Sequence, residues 1–452
     1  MRSWYRTTSV PRAKCWDVRT HEGSARYRAN THRIGPGAPV ASPQSEVLPA
    51  RIQGKALSSD ATDVIVAGSL AIDLSCDYVP VNTPAASHQP QLHTSNPASI
   101  QQSLGGVGQN IATALHYLKT SVRLCSSVAD DIAGSTALRM LADRGLQTSG
   151  LQKLTAGVRT AQYVAINDAH KSLVLAVADM EILEDTHGDF DTFWKPQVEA
   201  CKPKWLVIDA NWDSAVLRKW IEVARYSGAK VAYEPVSMTK SRRIFPAAHS
   251  NLTTVPNSSI SLATPNALEL ASMHEAATIA GLFERGDWWN VIDSIGLPSS
   301  GSRDKLVSMT SGALVDQGVP QQSIRLLPFI PTILTTLGQQ GVLMTQMLRP
   351  GDSRLTSPTS APYILSRSTD GSEVVGGVYM RLFPPVERVQ NDCIVSVNGV
   401  GDTFLGVIIA GLVKEKPKGL EELVDVAQKG SVMTLKSKEA VSPQISTLYS
   451  AL

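Results

Sequence analysis

DVIVAGSLAIDL, residues 63–74, is an apolar run with a glycine inside it and an aspartate near its end. Such uniform apolarity, in place of alternation, reads as a strand buried on both faces, which is what a parallel sheet under two helical layers requires. Working outward, GGVGQNIATALHYL (105–118) gives a glycine-rich turn and then apolar positions at helical spacing, Ile111, Ala114, Leu115 and Leu118. Residues 122–128 read as a strand and 135–144 as a helix closed by Gly145. TAQYVAIN (160–167) and SLVLAVA (172–178), joined by a polar turn, form a hairpin set apart from the rhythm. The β-then-α alternation resumes with WLVID (205–209), a helix over 214–226, AKVAYEP (229–235), LAT and a helix from 267; TILTTL (332–337) and a helix over 404–413 complete it. Repeated over this length, the alternation predicts an α/β fold with a largely parallel sheet covered on both faces.

Three stretches break the pattern. Residues 80–99 and 349–372 read as surface loops, and about 284–327, with its WWNVIDSIG string, as an insertion forming extra helices. Residues 1–62 differ in kind, being Arg-, Pro-, Gly- and Ser-rich without a sustained period, so the ordered domain is expected over 63–452. Seven arginines lie between Arg2 and Arg33, as in a mitochondrial presequence, but Asp17 and Glu22 interrupt them and no amphipathic stripe forms; a disordered tail is the preferred reading. The terminal Ser450-Ala451-Leu452 lacks the basic middle residue of a peroxisomal tripeptide.

The chain of 452 residues carries 42 Lys/Arg against 40 Asp/Glu, so no global field favours nucleic acid or an anionic membrane. With 43% hydrophobic residues there is ample material for a core. Cys15, Cys76, Cys125, Cys201 and Cys393 are odd in number, scattered and without a CxxC, which suits reduced thiols inside a cell. The longest apolar run, FLGVIIAGLV at 404–413, is too short for a membrane span. A cytoplasmic location is expected, with mitochondrion and peroxisome as alternatives.

Four constellations carry chemistry. In NGVGDTFLGVIIAGL (398–412), amides around Gly399, Val400 and Gly401 lie at the mouth of a helix, where free N–H groups and the helix dipole suit developing phosphate charge. Asp402 follows, placed to take a proton from an attacking hydroxyl; plain turn chemistry and an N-terminal helix acid explain the string equally well alone. Gly105 and Gly106 permit close approach of a ligand and Asn110 offers donor and acceptor to sugar hydroxyls, though a tight strand–helix connection is the simpler account. Asp73 stands where ligands sit in open α/β sheets, at a strand's carboxyl end. In TTLGQQGVLM (335–344), Gly338 and Gly341 either line phosphates or make a hairpin turn. In TPNALEL (264–270), Glu269 either holds Mg²⁺ through water or completes a helix cap with Asn266. No GxxxxGK[ST], HExxH or paired CxxC is present.

The order of these pieces resembles the PfkB, or ribokinase-like, carbohydrate kinases: Asp73, GGxGxN, a hairpin, NxxE, TxLGxxGV, then GxGD opening a helix, across residues 63–440. That family usually ends in DTxGAGD; here Ser396-Val397-Asn398-Gly399-Val400-Gly401-Asp402 keeps the glycines and the aspartate and changes the rest. AINDAHKSLVLAVADM (165–180), IDANW (208–212) and EPVS (234–237) are similar to segments of its pseudouridine kinases, with Glu234 where Asp is usual, and the helical insertion is similar to that of fungal and other eukaryotic members.

The resemblance implies a three-layer α/β/α sandwich with a mainly parallel sheet and a small β lid at 160–178. It implies ATP-dependent phosphorylation of the 5′-hydroxyl of pseudouridine, with Asp402 as base and the Gly399–Gly401 amides as anion hole. Asp73, Gly105, Gly106, Asn110 and Asp179 would bind the acceptor. Asn266, Thr336, Gly338 and Gly341 would bind the nucleotide, Glu269 would hold Mg²⁺, and a monovalent cation is a further candidate. A homodimer through the lid is implied, as is a functional link to a pseudouridine-5′-phosphate glycosidase, a portion the 62 residues before the first strand are too short to supply. A ribose, adenosine or other nucleoside kinase is the alternative acceptor reading, and a non-catalytic protein that kept the fold is the alternative class.

Overall fold

The run 63–74 does not form one strand. In the computed structural model, which describes residues 62–80, 88–155, 157–184, 189–246, 252–297, 301–368 and 371–452, it is divided between two sheets. β1 is Val64–Ala67 and β2 is Ala71–Tyr78. The break falls at Gly68, where a Cβ would lie 2.9 Å from the Gly108 Cα and 2.5 Å from the Asp209 carboxylate. Backbone packed that closely cannot continue a ladder, so the chain leaves one sheet and enters the other. The expectations placed on residues 1–61 lie outside the described residues.

The later strands are β3 (Ala98–Gly105), β4 (Val122–Ala129), β5 (Leu151–Leu154), β6 (Gln162–Asn167), β7 (Leu173–Asp179), β8 (Trp205–Asp209) and β9 (Lys230–Glu234). They are followed by β10 (Leu262–Ala263), β11 (Thr332–Thr336), β12 (Val342–Leu348), β13 (Ile364–Arg367) and β14 (Gly377–Phe383). The large sheet runs β13-β14-β12-β11-β10-β9-β8-β1-β4-β5, and the lid sheet β3-β2-β6-β7. Pairing is parallel from β11 through β5 and antiparallel from β11 through β13.

Successive side chains of β1 face opposite ways, and each face has its own core. Val64 and Val66 pack with α1 (Val107–Tyr117) and α2 (Ile132–Asp143), while Ile65 and Ala67 pack with α3 (Ser214–Ser227) and α4 (Ala267–Ile279). α5 (Val400–Leu412) and α6 (Leu420–Leu435) complete the first layer. This is the three-layer arrangement expected. α3 illustrates the local logic. Asp213 accepts from the amides of Ala215 and Val216, Gly228 ends the helix at φ 76°, and Val216, Leu217, Trp220, Val223 and Ala224 form its buried stripe. Trp220, fully buried among aromatic neighbours, would cost about 3–5 kcal/mol if cut to alanine.

Two of the expected loops touch strands. Lid strand β3 takes in the last two residues of the 80–99 stretch, and 364–367, inside the 349–372 stretch, form edge strand β13, paired with β14. The 284–327 insertion is helical, and Trp288, Leu306, Leu314, Val319 and Ile324 enter the α3–α4 core. Among the described residues no helix is long and apolar enough to cross a membrane, and Cys76, Cys125, Cys201 and Cys393 are free.

Candidate active site

The β1–β2 break and the start of α1 share one anchor, Asp209 at the carboxyl end of β8. Its Oδ2 accepts from the Ser69 amide at 2.7 Å, the Ser69 hydroxyl at 3.0 Å and the Gly108 amide at 2.9 Å. The Ser69 Oγ in turn accepts from the Val107 amide and from Nδ2 of Asn211. Burial pushes the Asp209 carboxyl up against the opposing pull of these donors. A removed partner here would leave an uncompensated buried polar group, so the turn is held rigidly.

That turn positions Gly105, Gly106 and Asp73. Gly106, at φ 96°, has no room for a Cβ, which would lie 2.6 Å from the Ser69 carbonyl oxygen. A Cβ on Gly105 would collide with the Asp73 carboxylate, so the first glycine of the pair makes space for the acid. Burial pushes the Asp73 carboxyl up to about 6. In the lid sheet the paired residues share a face, and Asp73, Ser75, Asp77 and Asn167 make its polar side. The Asn167 amide donates to Ser75 and Asp77 there.

Asn110, one turn into α1, donates from Nδ2 to Oδ2 of Asp402 at 2.8 Å. Asp402 lies in the first turn of α5, after Gly399 at φ 73°. Its carboxyl is pushed up to about 7, chiefly by burial; the Asn110 donor pulls it down, and the charges of Asp209, Glu269 and Asp73 push it up. The five acids Asp73, Asp209, Glu234, Glu269 and Asp402 thus form one electrostatic group. Glu234, at the end of β9, is buried and accepts from the Thr264 hydroxyl at 2.6 Å. Burial, then Asp402 and Glu269, hold it well above the usual carboxylate range.

Asn266 and Glu269 make a complete capping box on α4. Asn266 Oδ1 accepts from the amides of Leu268 and Glu269, and Glu269 Oε2 accepts from the Asn266 amide at 2.9 Å. Thr336 donates its amide to the Pro265 carbonyl and bridges Asn266, so the two motifs meet. Gly338 and Gly341 form the β11–β12 hairpin turn at φ 57° and 90°. Gly399 packs on the Ala440 carbonyl, and Ser431 donates to the Val400 carbonyl. Beside them a cavity of about 760 Å³ is lined by Val386, Lys429, Met433, Lys436, Ser442 and Pro443. Val400 and Gly401 are the first two residues of α5, and the space a Gly401 Cβ would occupy is open.

Asp179 stands apart. Its Oδ2 accepts from Arg159 at 2.7 Å, an ion pair at the lid's base in which the carboxyl is drawn below its usual range, first by that hydrogen bond. Sequence reasoning assigned no role to Asp209, Asn211, Glu234, Lys240 or the cavity walls. The strings IDANW and EPVS contained three of these residues, and only the pairing of β8 with β1 and β9 shows what they touch.

The model of the pfkB family carbohydrate kinases matches residues 61–292. The pseudouridine-metabolizing bifunctional protein of Schizosaccharomyces pombe is 27% identical over 400 residues, 86% of this chain and 48% of that protein. This chain therefore spans about half the length of that relative. The pseudouridine kinase of Escherichia coli is 24% identical over 234 residues, 52% of this chain and 70% of that one. Among solved structures, the Arabidopsis thaliana ribokinase complexed with ribose and ATP aligns at TM-score 0.56 and 13% identity, covering 86% of this chain and 98% of that one. The Cryptococcus neoformans ribokinase in complex with ADP aligns at 0.54 and 16%, covering 85% and 99%. At these identities the solved structures speak for the fold alone.

Proposed function

The chain belongs to the pfkB family of carbohydrate kinases, and from that premise we propose that it transfers the γ-phosphoryl group of ATP to the 5′-hydroxyl of pseudouridine. Phosphoryl transfer to an alcohol is the family's chemistry; the acceptor is the finer reading, supported by the relatives that carry pseudouridine in their names.

The observation that carries the mechanism is the buried Asp402 carboxyl at the mouth of α5, poised near 7 and bonded to Asn110. In the proposed reaction the 5′-oxygen attacks the γ-phosphorus, the bond to the β-phosphate oxygen breaks, and the hydroxyl proton passes to Asp402. The amides of Gly399, Val400 and Gly401 face the transferring charge. Asp73 and Asn110 hold the sugar hydroxyls, so the nucleophile is oriented before reaction, while the amides at Gly105 and Gly106 approach the sugar closely. Asp179 stays in its ion pair at the lid's base in this reading and acts on the acceptor only through the lid.

Thr336, Gly338, Gly341 and Asn266 flank the phosphates, and the 760 Å³ cavity takes the adenine. Glu269 spends one oxygen on the helix cap and keeps the other. A single free carboxylate oxygen suits a hard cation that keeps most of its waters, so Glu269 would hold Mg²⁺, whose contribution is neutralisation of phosphate charge. The outer face of the lid is apolar, with Ile100, Leu175 and Val177 65%, 54% and 56% exposed, and Leu74, Cys76, Val164 and Ile166 in register between them. A second copy of the chain is its proposed occupant.

ATP consumption with pseudouridine, uridine, ribose and adenosine, beside Asp402→Asn, tests the assignment. Turnover with pseudouridine that vanishes in the variant supports acceptor and base together. Turnover only with another acceptor overturns the acceptor, and binding without turnover overturns the enzyme reading.

A further inference from the structure

Between β9 and the helix over Lys240–Ile244 the backbone is strained. Val236, a β-branched residue, sits at φ 68°, and the Ser237 amide donates to the Pro235 carbonyl across it at 2.7 Å. This is a γ-turn of the positive-φ kind, rare for any residue and an outlier for valine. Ser237 then accepts from the Lys240 amide with its Oγ and from the Ser241 amide with its carbonyl, and so starts the next helix. Such strain persists only where surrounding structure imposes it, and it clusters at ligand sites.

The turn delivers Lys240. Its ammonium donates to Oδ1 of Asn211 at 2.8 Å and lies 3.4 Å from Glu184, with the side chain 20% exposed. Arg243, on the same helix, donates to the same Glu184 oxygen and caps the carbonyls of Ala210, Asn211 and Trp212, which fixes the strand end that carries Asn211. Asn211 reaches Ser69, and Ser69 packs on Gly106. Lys240 is therefore wired to the acceptor side of the site. Among the described residues its side chain bonds to Asn211 and Glu184 and not to Asn266, Thr336 or the α5 loop.

An ammonium has three N–H donors and no acceptor; two point at Asn211 and Glu184, and one is left for an oxygen. Sugar hydroxyls, which both donate and accept, are served by carboxylates such as Asp73. A pyrimidinedione ring presents carbonyl oxygens that only accept, and a carboxylate cannot bind them. We propose that Lys240 is a specificity-determining residue that donates a hydrogen bond to a carbonyl oxygen of the acceptor's base. The inference rests on the nucleoside-kinase reading above.

The test is steady-state kinetics of the full chain and its Lys240→Met and Lys240→Gln variants, with pseudouridine as acceptor and ribose as acceptor or competitive inhibitor. Lys240→Met is expected to raise KM for pseudouridine by about tenfold or more, because a charged donor is lost. The KM for ATP and the constant for ribose should not move, and Lys240→Gln, which keeps N–H donors, should recover part of the loss. Equal weakening of ribose and pseudouridine, or a change confined to ATP, overturns the proposal. If Lys240→Met fails to fold by thermal melting, Lys240→Gln decides on the same comparison. Wild-type turnover of pseudouridine with both variants unchanged sinks Lys240 alone. A wild type that phosphorylates only other acceptors sinks the substrate reading and this inference with it.

Discussion

Nδ2 of Asn110 donates to Oδ2 of Asp402 across 2.8 Å, joining residues 292 positions apart. The donor favours the ionised form of a carboxyl that burial has pushed up to about 7. A general base must be ionised, so kcat/KM should fall as pH drops through about 7. Removing the donor with Asn110→Ala should move that acid limb to higher pH. A pH–rate profile of both proteins measures it, and a limb that stays in place would separate Asn110 from the base.

Asp402→Asn should lower turnover by about 10²–10⁴-fold while raising thermal stability. The folded-state value near 7 lies above the ordinary 3.8, so the unfolded chain ionises first and the wild type loses stability as pH rises between them. The variant's advantage should be absent near pH 4, grow through 7 and level off above it, reaching on the order of a few kcal/mol. Thermal melts across pH record it; an unchanged difference at every pH would mean that the carboxyl is not buried as described.

Gly399 and Val400 should behave oppositely. Gly399 holds φ 73°, and any Cβ would strike the Ala440 carbonyl, so Gly399→Ala must shift the loop that carries the amides. Turnover is expected to fall by about 10²–10³-fold, the usual consequence of misplacing an anion-hole donor. Val400 is the first residue of α5 and half-buried, and its amide is independent of its side chain. Val400→Ala should leave kcat near the wild-type value, so the altered sequence around the glycines would not by itself slow the reaction.

Lid dimerisation is testable at β7. Leu175 and Val177 lie on one exposed apolar face, in register with Ile166 and Val164. Leu175→Glu should convert a dimer to a monomer in light scattering without lowering the melting temperature of the chain. A wild type that is monomeric at micromolar concentration would remove the second copy from that face.

What was legible from the residues follows from range. Turn glycines and helix starts depend on neighbours a few positions away, so α1, α3 and α4 could be placed from their own sequences. The split at Gly68 could not, because Ala67 and Leu70 stay fully buried on either side of the crossing and the apolar run looks unbroken. β3 reads as a polar segment, ASIQQSLG, because most of it is exposed; it is a strand by pairing with β2. Asp209, Glu234 and Lys240 find their partners only where segments distant in sequence meet.

The cavity beside α5 offers the last test, because nothing in the sequence marked its walls. Met433 and Lys436 come from the end of α6, Val386 follows β14, and Ser442 donates its amide to Thr434, whose hydroxyl meets Thr403 of α5. The walls are thus tied to the helix that bears Asp402. Met433→Trp should fill the space and raise KM for ATP while leaving the acceptor KM and the melting temperature unchanged. Binding of a non-hydrolysable ATP analogue, followed by calorimetry, should weaken in parallel. If ATP affinity survives the larger side chain while acceptor affinity falls, the two substrates exchange places across the Asp402 carboxylate, and the assignment of Asp73 and Asn110 to the sugar goes with it.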